Sequence, residues 1–150
     1  MRAGVFFFFG MRYNKYNGSG TSGAELEDVR KKRMKIMVID GNSILNRAYF
    51  GIRNLSNHEG TPTNAVYGFL STLFKQEDEE KPDRIVVCFD VKEKTFRHKK
   101  FDFYKATRKP MEENLAVQLP IIKEVLDALG IVRCELAGYE ADDLLGTISR

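Results

Sequence analysis

The apolar positions of this chain fall into two patterns. Ile36-Met37-Val38-Ile39 and Ile85-Val86-Val87-Cys88-Phe89 are continuous runs, each followed by an aspartate, Asp40 and Asp90. A run apolar on both faces predicts a parallel strand covered by helices on both sides. A third, shorter strand is predicted over residues 131–136. Between these runs the period lengthens. Val66, Phe69, Leu70, Leu73 and Phe74 recur at i, i+3, i+4, i+7 and i+8, which predicts a helix opened by Thr61-Pro62-Thr63. Residues 43–50 predict a helix capped at Ser43 and stopped near Gly51. Leu115, Leu119, Ile122, Val125, Leu126 and Leu129 share one side of a helical region over 112–129, which Pro120 should kink or restart. A last helix follows Gly138. The order strand–helix–helix–strand–basic arm–helix–strand–helix gives an α/β fold: a parallel sheet flanked by helices.

Residues 1–33 do not share this pattern. Phe6 to Phe9 is a homopolymer, residues 17–23 are linker-like, and Arg30-Lys31-Lys32-Arg33 is basic. No amphipathic period organises the first 23 residues, which predicts disorder there. Met34 directly precedes the first clean strand. Residues 1–33 therefore read as an upstream extension, native or not, and 34–150 as one domain. A DNA-contacting basic arm is the alternative for the extension.

Composition narrows the class. A chain of 150 residues has room for one domain. No apolar stretch approaches the ~18 residues of a membrane span, and Val5 to Phe9 is too short for a secretory core of about 7–15 residues. A cytoplasmic protein with no membrane partner is expected. Two cysteines, Cys88 and Cys134, lie inside predicted strands and read as buried small hydrophobes rather than a disulfide framework.

The carboxylates change the picture. Asp40 and Asp90 end two strands; Glu140, Asp142 and Asp143 follow the third. Open parallel sheets bind ligands beyond the carboxyl ends of their strands. Five acidic groups on one sheet edge repel unless cations or protons neutralise them. An oxygen-only set favours a hard ion, Mg²⁺ or Mn²⁺, and no His or Cys is placed for zinc. Each residue also has an ordinary explanation, since a strand-end Asp caps turns and acidic residues suit a helix start. Whether Asp142 faces away from Glu140 depends on where the helix begins, and the sequence leaves that open.

Net charge is only +3, but residues 92–109 hold eight basic and two acidic residues, a local net of +6. Phe96, Phe101, Phe103 and Tyr104 interleave with Arg97, Lys99, Lys100, Lys105 and Arg108. Aromatics among cations suit single-stranded nucleic acid, where cations track phosphates and rings stack on bases. Beside a divalent-metal site, such an arm points to phosphodiester hydrolysis.

Together Val38-Ile39-Asp40-Gly41-Asn42-Ser43, Asn64-Ala65-Val66-Tyr67-Gly68-Phe69, Phe89-Asp90, Phe96-Arg97-His98, Tyr104-Lys105-Ala106-Thr107-Arg108 and Gly138-Tyr139-Glu140-Ala141-Asp142-Asp143 resemble the flap-endonuclease-like 5′-3′ exonuclease domains of bacterial DNA polymerases, in order and spacing, over residues 34–150. The resemblance implies a PIN-like sheet with a basic helical arch over the site. It implies Asp40, Asp90, Glu140, Asp142 and Asp143 as metal ligands. It implies Lys105 and then Arg97 as the groups that meet the scissile phosphate, with Lys99, Lys100, Tyr104 and Arg108 on DNA and Tyr104 stacking on a terminal base. Tyr67 is expected to pack. The implied substrate is DNA with a 5′ flap or nick, and a monomer is expected. The family's later aspartates and helix-hairpin-helix would follow Arg150. The chain is therefore expected to be a fragment, ending before the last strands, lacking any fused polymerase domain and leaving an open sheet edge. The rival readings are a non-catalytic nucleic-acid-binding fragment and a small PIN-type ribonuclease.

Overall fold

The computed structural model describes residues 6–12, 33–101, 103–105, 107 and 110–150. Ten elements run along it: β1 (Phe6–Arg12), β2 (Arg33–Asp40), α1 (Gly41–Gly51), α2 (Asn64–Glu80), β3 (Arg84–Cys88), α3 (Phe96–Lys100), α4 (Glu113–Ala116), α5 (Gln118–Ala128), β4 (Val132–Cys134) and α6 (Ala141–Ile148). They build one sheet in the order β1-β2-β3-β4, with β2, β3 and β4 parallel. The α/β class and the parallel, helix-flanked sheet are as the hydrophobic pattern predicts.

Side chains alternate across the sheet. Met37, Ile39 and Val87 pack on one face with Ile44 and Leu45 of α1, Phe69 and Leu73 of α2, and Ile122 and Leu126 of α5. Val38 and Cys88 pack on the other with Ala141 and Leu145 of α6. This two-sided burial is why the strands read as unbroken apolar runs. Phe69 and Phe89 are fully buried, with ring centroids 6.5 Å apart and planes at 17°. Burying each contributes roughly 1.5–3 kcal/mol.

The structure departs from the sequence pattern in several places. Phe6–Arg12 is a strand, antiparallel to β2 with Phe6 opposite Ile39 and Arg12 opposite Arg33, where disorder is expected. A phenylalanine run favours extended backbone, and the unpaired edge of β2 offers it a hydrogen-bonding template. β1 thus covers one edge of the sheet, and β4 forms the other among the described residues. The rest of the extension lies outside the described residues. Asp40, not Ser43, caps α1: its carboxylate accepts from Ser43 N at 2.9 Å, so the helix starts at Gly41. The region 112–129 restarts near Pro120, as expected: two helices meet at Val117, and Pro120 falls in the first turn of α5, where its missing N–H costs little. Phe74 and Tyr67 of α2 are exposed, at 46% and 60%, because α2 buries only a narrow stripe: Ala65, Gly68, Phe69 and Leu73. Among the described residues of the arm, only α3 is helical.

One buried polar network fixes how the helices meet. Gln118, fully buried in α5, accepts from Ala65 N (2.8 Å) and Val66 N (3.2 Å) at the start of α2. Its amide donates to Asn64 Oδ1 (3.0 Å) and Asn114 O (2.8 Å). Asn64 Nδ2 in turn donates to Tyr49 O (3.0 Å) at the end of α1. Two of the open N–H groups of α2 are thus satisfied by a side chain from another helix.

Candidate functional site

The parallel sheet delivers its strand ends to one place. Asp40 closes β2, Asp90 lies two residues past β3, and Glu140 and Asp142 sit at the start of α6 beyond β4. All four line one cavity of about 330 Å³, together with Asn42, Ser43, Asn46, Ala141 and Lys105.

Local structure holds them there. A Cβ on Gly41 would land on the Phe89 ring, so only glycine lets α1 start flush against the strand that leads into Asp90. Asp90 Oδ1 accepts from Ala141 N at 2.8 Å, and Asp90 N donates to Asn42 Oδ1 at 3.3 Å. One aspartate thereby ties the starts of α1 and α6 to the end of β3. Glu140 is the N-cap of α6, extended at φ −97° and ψ 161°, in a capping box with Asp143. This non-helical start decides the question left open by the sequence. Glu140 and Asp142 face the cavity, whereas Asp143 turns back to accept from Glu140 N at 3.0 Å.

The arm closes onto the acids. Arg97 forks onto Asp143 with two bonds, Nη1–Oδ2 at 2.6 Å and Nη2–Oδ1 at 2.5 Å, and lies 3.5 Å from Glu140. Lys105 Nζ reaches Glu140 Oε1 at 2.9 Å. Lys105 adopts φ 56°, a left-handed conformation that a Cβ disfavours; its ion pair with Glu140 draws it inward. Tyr104 donates to Glu140 Oε2 at 2.8 Å and sets its ring edge-on to His98, so it is engaged at the site rather than presented for stacking. The arm is anchored by Phe96 N bonded to Gly138 O at 2.9 Å and by the buried Thr95, 2.8 Å from His98 Nδ1. Lys99 and Lys100 are exposed on α3, and Phe103 is 90% exposed. Arg108 lies outside the described residues.

Electrostatics divide the acids in two. Burial, with Asp142 and Asp90 nearby, raises the Asp40 pKa above its ordinary value despite the bond from Ser43 N. Burial also pushes Glu140 up, but bonds from Lys105 and Tyr104 and the charges of Lys105 and Arg97 outweigh it and lower its pKa. The Arg97 fork holds Asp143 below its ordinary value, and the same fork raises Arg97. The Asp40–Asp90–Asp142 side is therefore short of positive charge, and the Glu140–Asp143 side is already neutralised. Among the described residues, no three Asp, Glu, His or Cys side chains are gathered tightly enough to hold a metal ion as they stand. Glu140 and Asp143 are instead held by the arm's cations. The donor set itself is all oxygen and carries excess negative charge at Asp40, which suits a hard divalent cation.

Asn46 is a site residue that the sequence reading does not single out. It stands one turn after Asn42 on α1, donates to Asn42 O at 2.8 Å, and lines the acid cavity. Its i, i+4 spacing from Asn42 was the available signal. Cys88 and Cys134 are free thiols at paired positions of β3 and β4, behind the site.

The comparisons with known proteins bear on residues 35–150, which match the family model described as "5′-3′ exonuclease, N-terminal resolvase-like domain". The chain is 46% identical over 119 residues to DNA polymerase I of Bacillus subtilis, covering 79% of this chain and 14% of that protein. It is 45% identical over 115 residues to DNA polymerase I of Caldicellulosiruptor bescii, covering 77% and 14%. It is 43% identical over 114 residues to a protein named 5′-3′ exonuclease from Aquifex aeolicus, covering 76% and 39%. The chain thus spans about one seventh of the polymerases and two fifths of the exonuclease.

Proposed function

Since this chain belongs to the family of the 5′-3′ exonuclease N-terminal resolvase-like domain, we propose that it carries a divalent-metal-dependent 5′ nuclease site that hydrolyses phosphodiester bonds in flap or nicked DNA. One observation carries the reading: four carboxylates from three parallel strand ends line a single cavity into which Lys105 of a basic arm reaches. Asp40, Asp90, Glu140 and Asp142 would hold the ion. Mg²⁺ or Mn²⁺ bound there supplies charge to the phosphoryl oxygens and a more acidic water. Asp90 orients the start of α6 through Ala141 N, which keeps Glu140 and Asp142 at the cavity.

Lys105 and Arg97 play two roles in turn. Without DNA they neutralise Glu140 and Asp143. With DNA present, the scissile phosphate takes their place as the anion, and the freed carboxylates face the cavity. Preorganised cations at the phosphate stabilise its developing charge. Lys99, Lys100 and Arg108 add phosphate contacts along the arm, and Phe103, the most exposed aromatic there, stacks on bases.

The test is cleavage of a 5′-labelled flap DNA with Mg²⁺ or Mn²⁺. Cleavage that needs the metal and disappears in Asp40→Ala and Asp90→Ala supports the reading. Cleavage unaffected by chelator, or retained in both variants, overturns it. DNA binding without any cleavage favours the binding-only alternative.

A further inference from the structure

The arm runs out from Thr95 and returns to the acids at Lys105. Thr95, the buried N-cap of α3, precedes Phe96, whose N–H is bonded to Gly138 O at 2.9 Å, so the outgoing limb is fixed beside the start of α6. Tyr104 N donates to Phe101 O at 3.1 Å, which closes the turn between the limbs. The returning limb carries Tyr104 and Lys105, which reach Glu140 at 2.8 and 2.9 Å. His98 is half-buried between the two limbs. Its Nδ1 accepts from Thr95 N at 3.3 Å and lies 2.8 Å from Thr95 Oγ1. A backbone N–H can only donate, so Nδ1 is bare and the hydroxyl donates to it as well. This is the reciprocal box of a helix start, with an imidazole at the third helical position where Glu or Gln ordinarily serves. The imidazole adds what Glu and Gln lack, a flat ring. Its centroid lies 5.2 Å from that of Tyr104, with planes at 87°, a favoured edge-to-face arrangement. One side chain therefore grips the fixed limb by hydrogen bonds and the returning limb by its ring. It also lines a cleft of about 260 Å³ together with Lys105 and Glu140.

We propose that His98 is a positioning residue: by joining Thr95 to Tyr104 it sets Lys105 at the acid cavity. The contacts stand by themselves, and their consequence for catalysis rests on the nuclease reading. Lys105 needs such support. It sits at φ 56°, and a residue with a Cβ persists in that region only where its surroundings over-determine it. The ion pair with Glu140 is one constraint, and the ring contact that holds its neighbour Tyr104 is another. Both halves of the role are required. The cap alone orders α3 but not the limb that returns from it. The ring alone leaves the N–H of the buried Thr95 without its acceptor.

Acetylation footprinting of the whole chain, read by peptide mass spectrometry, reports on Lys105 directly. Its side chain is 29% exposed and ion-paired, so it should label more slowly than the exposed Lys99 and Lys100, which serve as internal standards. His98→Ala removes both contacts. Loss of the acceptor for a buried donor shifts the balance between closed and open arm by about 5- to 150-fold, so Lys105 labelling should rise about fivefold or more, with Lys99 and Lys100 unchanged. His98→Gln restores the acceptor but not the ring, and should fall between wild type and His98→Ala. Lys105 labelling unchanged in His98→Ala overturns the proposal. So does a wild-type rate in His98→Gln, which would make His98 a helix cap alone. On flap DNA with Mg²⁺, His98→Ala should lower kcat, and should lower it no further in a Lys105→Ala background. Independent, additive losses would overturn the coupling while leaving the nuclease reading intact. A wild type that cuts no flap DNA removes the nuclease reading, and the labelling result then decides by itself whether His98 sets Lys105.

Discussion

Replacing Gln118 should unfold the molecule far more readily than a polar residue on a helix would suggest. The side chain is fully buried and makes four hydrogen bonds, two accepted from the N–H groups of Ala65 and Val66 and two donated to Asn64 Oδ1 and Asn114 O. Gln118→Ala leaves a buried donor at Ala65, a partly buried one at Val66, and an empty volume. A buried polar group without its partner costs about 1–3 kcal/mol, and the cavity adds to that. The expected loss is about 3–5 kcal/mol, against a total stability on the order of 5–15 kcal/mol for a domain. Gln118→Met keeps most of the volume and removes the hydrogen bonds, so about 2–4 kcal/mol is expected. The measurement is urea unfolding followed by far-ultraviolet circular dichroism, comparing midpoints at constant slope. If both variants lie within about 0.5 kcal/mol of wild type, a range typical of surface changes, the network does not hold α2 to α5 as described.

Further predictions follow from other contacts. Gly41→Ala drives a methyl group into the Phe89 ring and should cost about 1–3 kcal/mol of stability by overpacking; an unchanged urea midpoint would contradict the close approach of α1 to β3. Burial, with Cys134 and Asp40 alongside, pushes the Cys88 thiol up to about 12, so iodoacetamide at pH 8 should leave Cys88 unmodified in the native chain and label it in urea, as peptide mass mapping would report. Glu140 and Asp143 have folded pKa values below their ordinary 4.5 and 3.8, so their ionic contribution is present above those values and lost as pH falls through the folded ones. The stability difference between wild type and Arg97→Met should therefore be larger at pH 7 than at pH 2.5, and an equal difference at both would refute the pairing. Asp40 is raised and acts in the opposite sense, but it is common to both proteins and cancels.

The fold was legible where burial is two-sided. Ile36 to Ile39 and Ile85 to Phe89 could be nothing but interior strands, and parallel strands carry their C-terminal residues to one edge, which puts Asp40, Asp90, Glu140 and Asp142 together. Details that depend on a single turn were not legible. Asp143 leaves the cavity because Glu140 caps α6 and the box turns Asp143 back, a matter of one residue's backbone angles. Tyr104 is held by Glu140 because the arm folds onto the acids, and nothing in its local sequence states that. Gln118 reads as a polar helix position; its role appears only when α2 places two open N–H groups beside it. Phe6–Arg12 lacks amphipathic period, yet pairs with β2 because an open edge accepts any extended backbone.

The central claim is that the strand-end carboxylates form one divalent-cation centre, and calorimetric titration of the whole chain with Mn²⁺ tests it most directly. The account predicts saturable binding that weakens tenfold or more, about 1.4 kcal/mol, in both Asp40→Asn and Asp90→Asn. Affinity unchanged in both variants would contradict it.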